Sequence, residues 1–432
     1  MSAQKPRLLP LTSMRFFLAL WVVAYHLSWP AGAQHGWWSN LPRWSFSLLH
    51  GSLTILDVFF LSSGFILAYH YRLNSFWSEQ ELRKYAIARF SRLFPVYLLS
   101  LVAIAPLELH RSMFHFSAIA AKEIVKIGLV LTLLQSWIPS TALLWNKPAW
   151  SLSVNLFFYL TFPWLGVLLW RASRMRRLLL AAVLLWCLAM SVPLIVISRH
   201  IHGLSDAGSN TYIEETQALP SEPRGTPPLN MTMPAIKIPE LWANFARFNP
   251  LVRLPEFLLG IVLAHLFMRL IDRKHFLVDR GHILYLPALI VLLGVLMWGG
   301  DHILYLLLHG GLLLPLWSCI VLGFALGGGF LARLLCLRLF VFLGETSYCV
   351  YTLHFVVIQW LVRRVGITVL NDARVSLSVL LGVIVMSGAV FVFYEEPANR
   401  VLRGWLGEGL LEPRKVELSA APRVLAQKQE AG

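Results

Sequence analysis

Charge is scarce in this chain: 14% of its 432 residues are Asp, Glu, Lys or Arg, against 57% hydrophobic side chains. That excludes a water-soluble globule and makes lipid the solvent. Acidic residues are scarcer than basic ones, 22 against 37. The resulting net charge of +15 sits in clusters between apolar runs, so it reads as orientation charge in a membrane and not as a nucleic-acid footprint. Cysteine is limited to Cys187, Cys319, Cys336 and Cys349, all in or beside apolar runs and without a CxxC pair. A disulfide framework is thereby excluded, and the four read as packing residues in the lipid phase. There is no HExxH, no Cys/His metal spacing and no Walker loop, so neither a metal centre nor nucleotide hydrolysis is supported. Internal repeats, inverted or solenoid, are not visible.

What the chain has in abundance is apolar runs long enough to cross a bilayer core of roughly 30 Å. They fall near 12–30, 52–71, 93–107, 149–170, 178–198, 250–271, 283–299, 303–328, 345–362 and 375–394. The expected fold is therefore all-α: a polytopic membrane protein of about ten transmembrane helices. A further run at 124–138 is short and carries Lys126. The basic clusters at Arg72, Arg83, Lys84, Arg89 and Arg92, then at Arg171, Arg174, Arg176 and Arg177, lie on one side only if that run does not cross. The same assignment places Arg269, Arg273, Lys274 and Arg280, then Arg333 and Arg338, and finally Arg400, Arg403, Arg414 and Lys415 inside. Both termini are then cytoplasmic, in a multi-pass protein of the cell inner membrane. Lys5 and Arg7 before an apolar stretch ending at Ala31-Gly32-Ala33 imitate a secretory signal. Arg15 and His26 interrupt that stretch, so it reads as a retained first span.

Residues 1–406 form the expected membrane domain, with 199–249 as an extracytoplasmic loop and 407–432 as a polar cytoplasmic tail. The loop carries Pro220, Pro223, Pro227, Pro228, Pro234 and Pro239. It either covers a site or simply connects two spans.

Ionisable groups inside a span are costly and mark function by default. Arg15 and His26 are the first such pair. Eleven residues of helix turn through about 1100°, ending about 20° from the starting face and about 16 Å along the axis. One face thus carries a cation suited to phosphate toward the cytoplasm and a potential general base in the outer half. Snorkelling of Arg15 and an interior, hydrogen-bonded His26 are the bland alternative. Asp57 opens the second span at the depth of His26, where it can orient the imidazole or cap the helix. Arg89 and Arg92 share a face at the mouth of the third span and suit phosphate, or serve as membrane anchors. Arg253 and Glu256, at i,i+3, read as a structural salt bridge. His354 and Tyr351 share a face that either lines a cavity or bonds neighbouring helices.

Seven segments carry a resemblance. Leu11-Thr12-Ser13-Met14-Arg15 through His26 is similar to a basic-x10-His opening, and Asp57 through Phe65, including Ser63 and Gly64, resembles a second-span motif. Arg89-Phe90-Ser91-Arg92 with Pro95 and Tyr97 is similar to an RxxR stretch. Trp150-Ser151-Leu152-Ser153-Val154 looks like WSLSVE, and Pro255-Glu256-Phe257-Leu258-Leu259-Gly260 resembles PEFLLG. Gly344, Ser347, Tyr348, Tyr351 and His354 fit G-x-x-S-Y-x-x-Y-x-x-H, and Glu396-Pro397 with Arg400 resembles a closing E-x-P-x-x-R. In this order they resemble the acyltransferase-3 family, membrane enzymes that acylate surface polysaccharides, O-antigen, periplasmic glucans and some macrolides.

The resemblance implies acyl-coenzyme A, usually acetyl-coenzyme A, as donor substrate with no bound cofactor. It implies a carbohydrate or glycosylated small molecule as acceptor, membrane lipids as surroundings and no nucleic-acid partner. His26 and Asp57 are the expected catalytic residues, and Arg15, Arg89 and Arg92 the donor-binding ones. Ser63, Trp150, Ser153, Asn155, Glu256, Tyr351 and His354 are expected to line the cavity. One position departs: Asn155 stands where relatives usually carry glutamate, and an amide cannot ionise. The main rival class is a transporter or flippase for a glycan or lipid-linked sugar, since intramembrane Arg, His and Asp also mark substrate pathways.

Overall fold

The computed structural model describes residues 8–28, 41–71, 78–112, 119–170, 175–200, 240–299 and 305–406. Most of the loop at 199–249, the tail at 407–432, and Arg72, Arg171 and Arg174 lie outside the described residues. In chain order the α-helices are α1 (Leu9–Ser28), α2 (Arg43–His50), α3 (Ile55–His70), α4 (Glu79–Ser112), α5 (Ile119–Leu131), α6 (Trp150–Trp170), α7 (Met175–His200) and α8 (Glu240–Phe248). They continue with α9 (Pro250–Asp272), α10 (His282–Gly299), α11 (Tyr305–His309), α12 (Leu314–Leu326), α13 (Phe330–Leu335), α14 (Arg338–Val365), α15 (Ala373–Val390) and α16 (Glu396–Trp405). No strand occurs among the described residues.

Nine stretches among the described residues are long and apolar enough to cross a membrane, and one shorter apolar helix, His282–Trp298, accompanies them. The chain is an all-α polytopic membrane protein. Its outer surface agrees: Leu180, Val183, Leu184 and Leu188 of α7, Ile290 and Trp298 of α10 and Val385 of α15 all stand exposed. Water does not tolerate so continuous an apolar surface, whereas acyl chains match it.

The run at 124–138 does not form a spanning helix. Helix α5 has 13 residues, a rise of about 20 Å that falls short of the roughly 30 Å hydrocarbon core. The chain then turns at Leu133, where φ is +56°, and returns through short 3-10 turns at Gln135–Trp137, Pro139–Thr141 and Lys147–Ala149. Protein groups satisfy this irregular backbone: Tyr97 Oη donates to the Val130 carbonyl at 2.6 Å and Ser153 Oγ to that of Leu133 at 2.5 Å. Ser136 Oγ donates to Trp150 O at 2.8 Å. Non-helical backbone at membrane depth requires such partners.

The non-crossing of 124–138 is what the basic clusters require; the departure from the expected pattern lies in the run at 303–328, which breaks between α11 and α12. Gly311 there has φ +88°, a left-handed conformation that costs glycine nothing. The break releases backbone carbonyls: Gly311 O accepts from Trp186 Nε1 at 3.1 Å, and His309 O accepts from Arg253.

Two pairs of parallel helices set the interior. In the first, Phe17 of α1 meets Phe340 of α14, with ring centroids 5.5 Å apart, and further along His26 meets His354. In the second, Asp57 of α3 meets Arg253 of α9, and further along Phe65 meets Phe267 at 5.7 Å. The start of α9 is fixed locally. Asn249 accepts from the Leu251 N–H at 3.0 Å and Pro250 occupies the first turn, so Arg253 and Glu256 emerge in the opening turns. Phe158 of α6 stacks on Phe257 of α9 at 4.6 Å and meets Phe60 of α3 at 5.4 Å, tying α6 to the second pair through an aromatic core.

Candidate active site

At one end of the bundle, arginines from α1 and α4 converge. Arg15 lies within electrostatic range of Arg92 and Tyr159, and of Glu345 and Glu395. The Arg89 guanidinium sits 5.7 Å from the Tyr71 ring centroid and 5.9 Å from those of Tyr85 and Tyr159. It also donates to Tyr71 Oη at 3.3 Å. Tyr159 is therefore a neighbour of both Arg15 and Arg89. The Nε–H groups of Arg15 and Arg89 are buried without a hydrogen-bond partner in the protein. Orphan guanidinium donors in a cationic, aromatic-walled site suit the phosphates of an anionic ligand, which supply acceptors and charge together.

Glu395 closes this end. It is 2% exposed, accepts from Cys349 Sγ at 3.0 Å and lies within electrostatic range of Arg92 and Arg15. A π-helical turn at Phe391–Glu395 aims it inward, and single π turns interrupt helices most often at functional positions. The sequence reading placed Glu396 in the closing motif. The buried carboxylate is one residue earlier, and E-x-P spacing to Pro397 is the signal that identifies it. All four cysteines are free thiols, and Cys349 has this specific polar partner beyond its packing role.

At the opposite end, His26 Nδ1 lies 2.9 Å from the Val22 carbonyl and 3.3 Å from His354 Nε2. His354 is fully buried, and its Nδ1 lies 3.1 Å from Val350 O. Tyr351 stands one turn away, its hydroxyl 2.9 Å from Ser151 Oγ and donating to Pro148 O at 3.1 Å. The face shared by Tyr351 and His354 thus binds α14 to α1 and α6. Ser151, which the sequence reading passed over, lies inside the WSLSV run.

Asp57 belongs to a separate buried polar cluster. Arg253 Nη1 lies 3.3 Å from Asp57 Oδ1 and 2.6 Å from Glu256 Oε1. Arg253 Nε donates to Arg247 O at 2.6 Å, and Nη2 lies 3.2 Å from His309 Nδ1. Thr54 Oγ1 donates to Asp57 Oδ2 at 3.5 Å and accepts from Trp317 Nε1 at 2.8 Å. His354 and the Val22 carbonyl lie at hydrogen-bond distance from the His26 ring, whereas the Asp57 carboxylate engages Arg253 and Thr54. His309 and Arg247 carried no motif. A histidine before Gly310-Gly311 in an apolar run is the faint signal that marks the first.

The remaining motif residues divide between these surroundings. Trp150 packs against Phe60 at 5.9 Å and Phe248 at 4.8 Å and lies 6.0 Å from the Arg253 guanidinium. Ser153 is spent on Leu133 O, and Ser63 is half-buried on α3. Asn155 Oδ1 and Glu256 Oε2 are buried without a hydrogen-bond partner. Among the described residues no group of three or more His, Cys, Asp or Glu side chains is placed to hold a metal ion.

The family described as "Acyltransferase domain" matches residues 11–394. The chain belongs to the acyltransferase-3 family. It is also similar to "Acyltransferase MdmB" of Streptomyces mycarofaciens, 30% identical over 274 residues. That match covers 60% of this chain and 57% of the relative, so the chain spans little more than half of that protein's length. No solved structure matches it. In this acyltransferase-3 chain, motifs far apart in sequence meet in space. The opening motif touches the late-span histidine, the second-span motif touches the arginine beside PEFLLG, and WSLSV touches Tyr351.

Proposed function

We propose that the protein is a membrane O-acyltransferase that moves an acyl group, most simply acetyl, from acyl-coenzyme A to a hydroxyl of a carbohydrate or glycosylated acceptor. The observation that carries this reading is the single face of α1, with Arg15 in a cationic, tyrosine-lined end and His26 at the other end. The phosphates of the donor occupy the site of Arg15, Arg89 and Arg92, and the pantetheine arm leads the thioester along α1. The rise between the two residues, about 16 Å, is the distance the extended arm covers.

His26 removes the proton of the acceptor hydroxyl as its oxygen attacks the thioester carbonyl. The tetrahedral oxyanion collapses to the ester, and the carbon–sulfur bond breaks. Coenzyme A leaves as thiolate and takes up a proton, which balances the one His26 accepted. Asp57, tied to Arg253, contributes by holding the α3–α9 pair beside the reacting centre. The protein resides in the inner membrane with both termini and the Arg15 end in the cytoplasm.

Thiol release decides between enzyme and carrier. Purified protein in lipid nanodiscs receives acetyl-labelled acetyl-coenzyme A and a panel of methyl glycosides. Free thiol and labelled glycoside, both lost in His26→Ala, are the expected products. Absence of both, with passage of glycoside across proteoliposomes, would establish the transporter reading instead.

A further inference from the structure

Helix α6 carries a polar stripe. Ser151, Asn155 and Tyr159 follow one another at intervals of four residues, each turned by about 40° and displaced by about 6 Å along the axis from the last. Printed contacts of the side chains fix both ends of the stripe. Tyr159 lies within electrostatic range of Arg15, and its ring centroid is 5.9 Å from the Arg89 guanidinium. Ser151 Oγ lies 2.9 Å from Tyr351 Oη, the Tyr351 ring centroid is 6.0 Å from that of His354, and His354 Nε2 is 3.3 Å from His26 Nδ1. The stripe therefore leads from the cationic end to the histidine end, as Arg15 and His26 do on α1, and Asn155 stands midway.

The two ends of the stripe are engaged within the protein. The Tyr159 ring flanks Arg89, and Ser151 Oγ donates to Pro148 O at 3.0 Å. Asn155 is half-buried, and its Oδ1 is buried without a hydrogen-bond partner among the described residues. A buried amide oxygen left in that state is costly unless a ligand brings the donor. The site thus offers orphan donors, the Nε–H groups of Arg15 and Arg89, and about one helical turn further in an orphan acceptor. Its complement is a ligand with anionic oxygens at one end and an O–H or N–H group beyond them. Coenzyme A has that order, because the hydroxyl of its pantoyl unit is the first hydrogen-bond donor along the arm after the pyrophosphate.

We infer that Asn155 is a donor-recognition residue, its Oδ1 accepting a hydrogen bond from the pantoyl hydroxyl, so that the protein reads the arm of coenzyme A as well as its phosphates. The inference rests on the cationic end being the coenzyme A site. Asn155 touches a part of the donor remote from the thioester, so it binds and aligns the arm and takes no part in proton transfer.

The test measures binding by calorimetry to the full chain in nanodiscs, with three probes: coenzyme A, its deoxy analogue lacking the pantoyl hydroxyl, and the phosphorylated adenosine diphosphate that remains when the whole arm is removed. The native protein should bind coenzyme A about tenfold more tightly than the deoxy analogue, the order set by one neutral hydrogen bond in a buried site. Asn155→Leu should bind the two alike, because the acceptor is gone, and should bind the armless nucleotide as the native protein does. Asn155→Asp keeps an acceptor and should keep the preference; taking the ratio of the two arm-bearing probes cancels the effect of its added charge. Should Asn155→Leu not fold, Asn155→Ala is read in its place. Equal native affinity for coenzyme A and the deoxy analogue, or a preference that survives in Asn155→Leu, overturns the inference. Arg15→Ala should weaken all three probes. Absence of coenzyme A binding to the native protein, or armless-nucleotide binding unmoved by Arg15→Ala, overturns the donor-site reading itself, so the two failures are distinct.

Discussion

Gly64 of α3 and Gly260 of α9 lie on a crossing so tight that a β-carbon on either would fall 2.0 Å from a backbone oxygen of the other helix, that of Phe257 or Leu61. The contact brings α3 and α9 together backbone to backbone, as small residues do in membranes, and the same pair carries Asp57 and Arg253. Gly64→Ala and Gly260→Ala should each force the helices apart and cost at least the about 1–3 kcal/mol typical of overpacking. Thermal unfolding in detergent is the measurement. Gly382→Ala is the control, since nothing lies within 4 Å of a β-carbon there. Equal midpoints for all three variants would contradict the close crossing.

Arg15 and His26 should fail differently. Arg15→Ala removes a charge-assisted phosphate contact, on the order of 1.5–3 kcal/mol, and so should weaken acetyl-coenzyme A binding in calorimetry by about 10- to 100-fold. His26→Ala should leave binding intact and slow single-turnover acyl transfer by about 10²–10⁴-fold. A His26→Ala protein that transfers at the native rate would remove the base from the mechanism.

Asn155 should not be a proton carrier, because an amide does not titrate near neutral pH. Its Oδ1 is buried without a hydrogen-bond partner, which leaves it able to accept a hydroxyl from a ligand. Asn155→Glu should keep turnover within about tenfold of native or raise it modestly. A far larger gain would show that the native chain lacks a group the chemistry needs.

Glu395 supplies negative charge beside Arg92 and Arg15. Glu395→Ala leaves those cations less balanced, and loss of one member of a buried charged group costs about 3–5 kcal/mol where pairing is close. The unfolding midpoint should drop. Acetyl-coenzyme A should raise it more in the variant than in the native chain, because ligand phosphates restore the missing charge and binding stabilises the folded state. Equal ligand-induced shifts would show that Glu395 does not serve the donor site.

The sequence by itself determined the solvent, the helical class and the approximate number and position of the spans, because hydropathy over some twenty residues is a local property with a fixed bilayer thickness to match. It also determined that Arg15 and His26 share a face, since helical periodicity relates residues on one element. Motif order was enough to identify the family, which matches residues 11–394. Only the tertiary structure decided partners. His26 meets His354 across 328 positions, and Asp57 meets Arg253 across 196. Two polar groups at the same depth on different spans are equally available from sequence, and helix packing chooses between them. The break at Gly311 and the inward turn of Glu395 were likewise illegible, because each depends on neighbouring helices satisfying backbone or charge that lipid cannot.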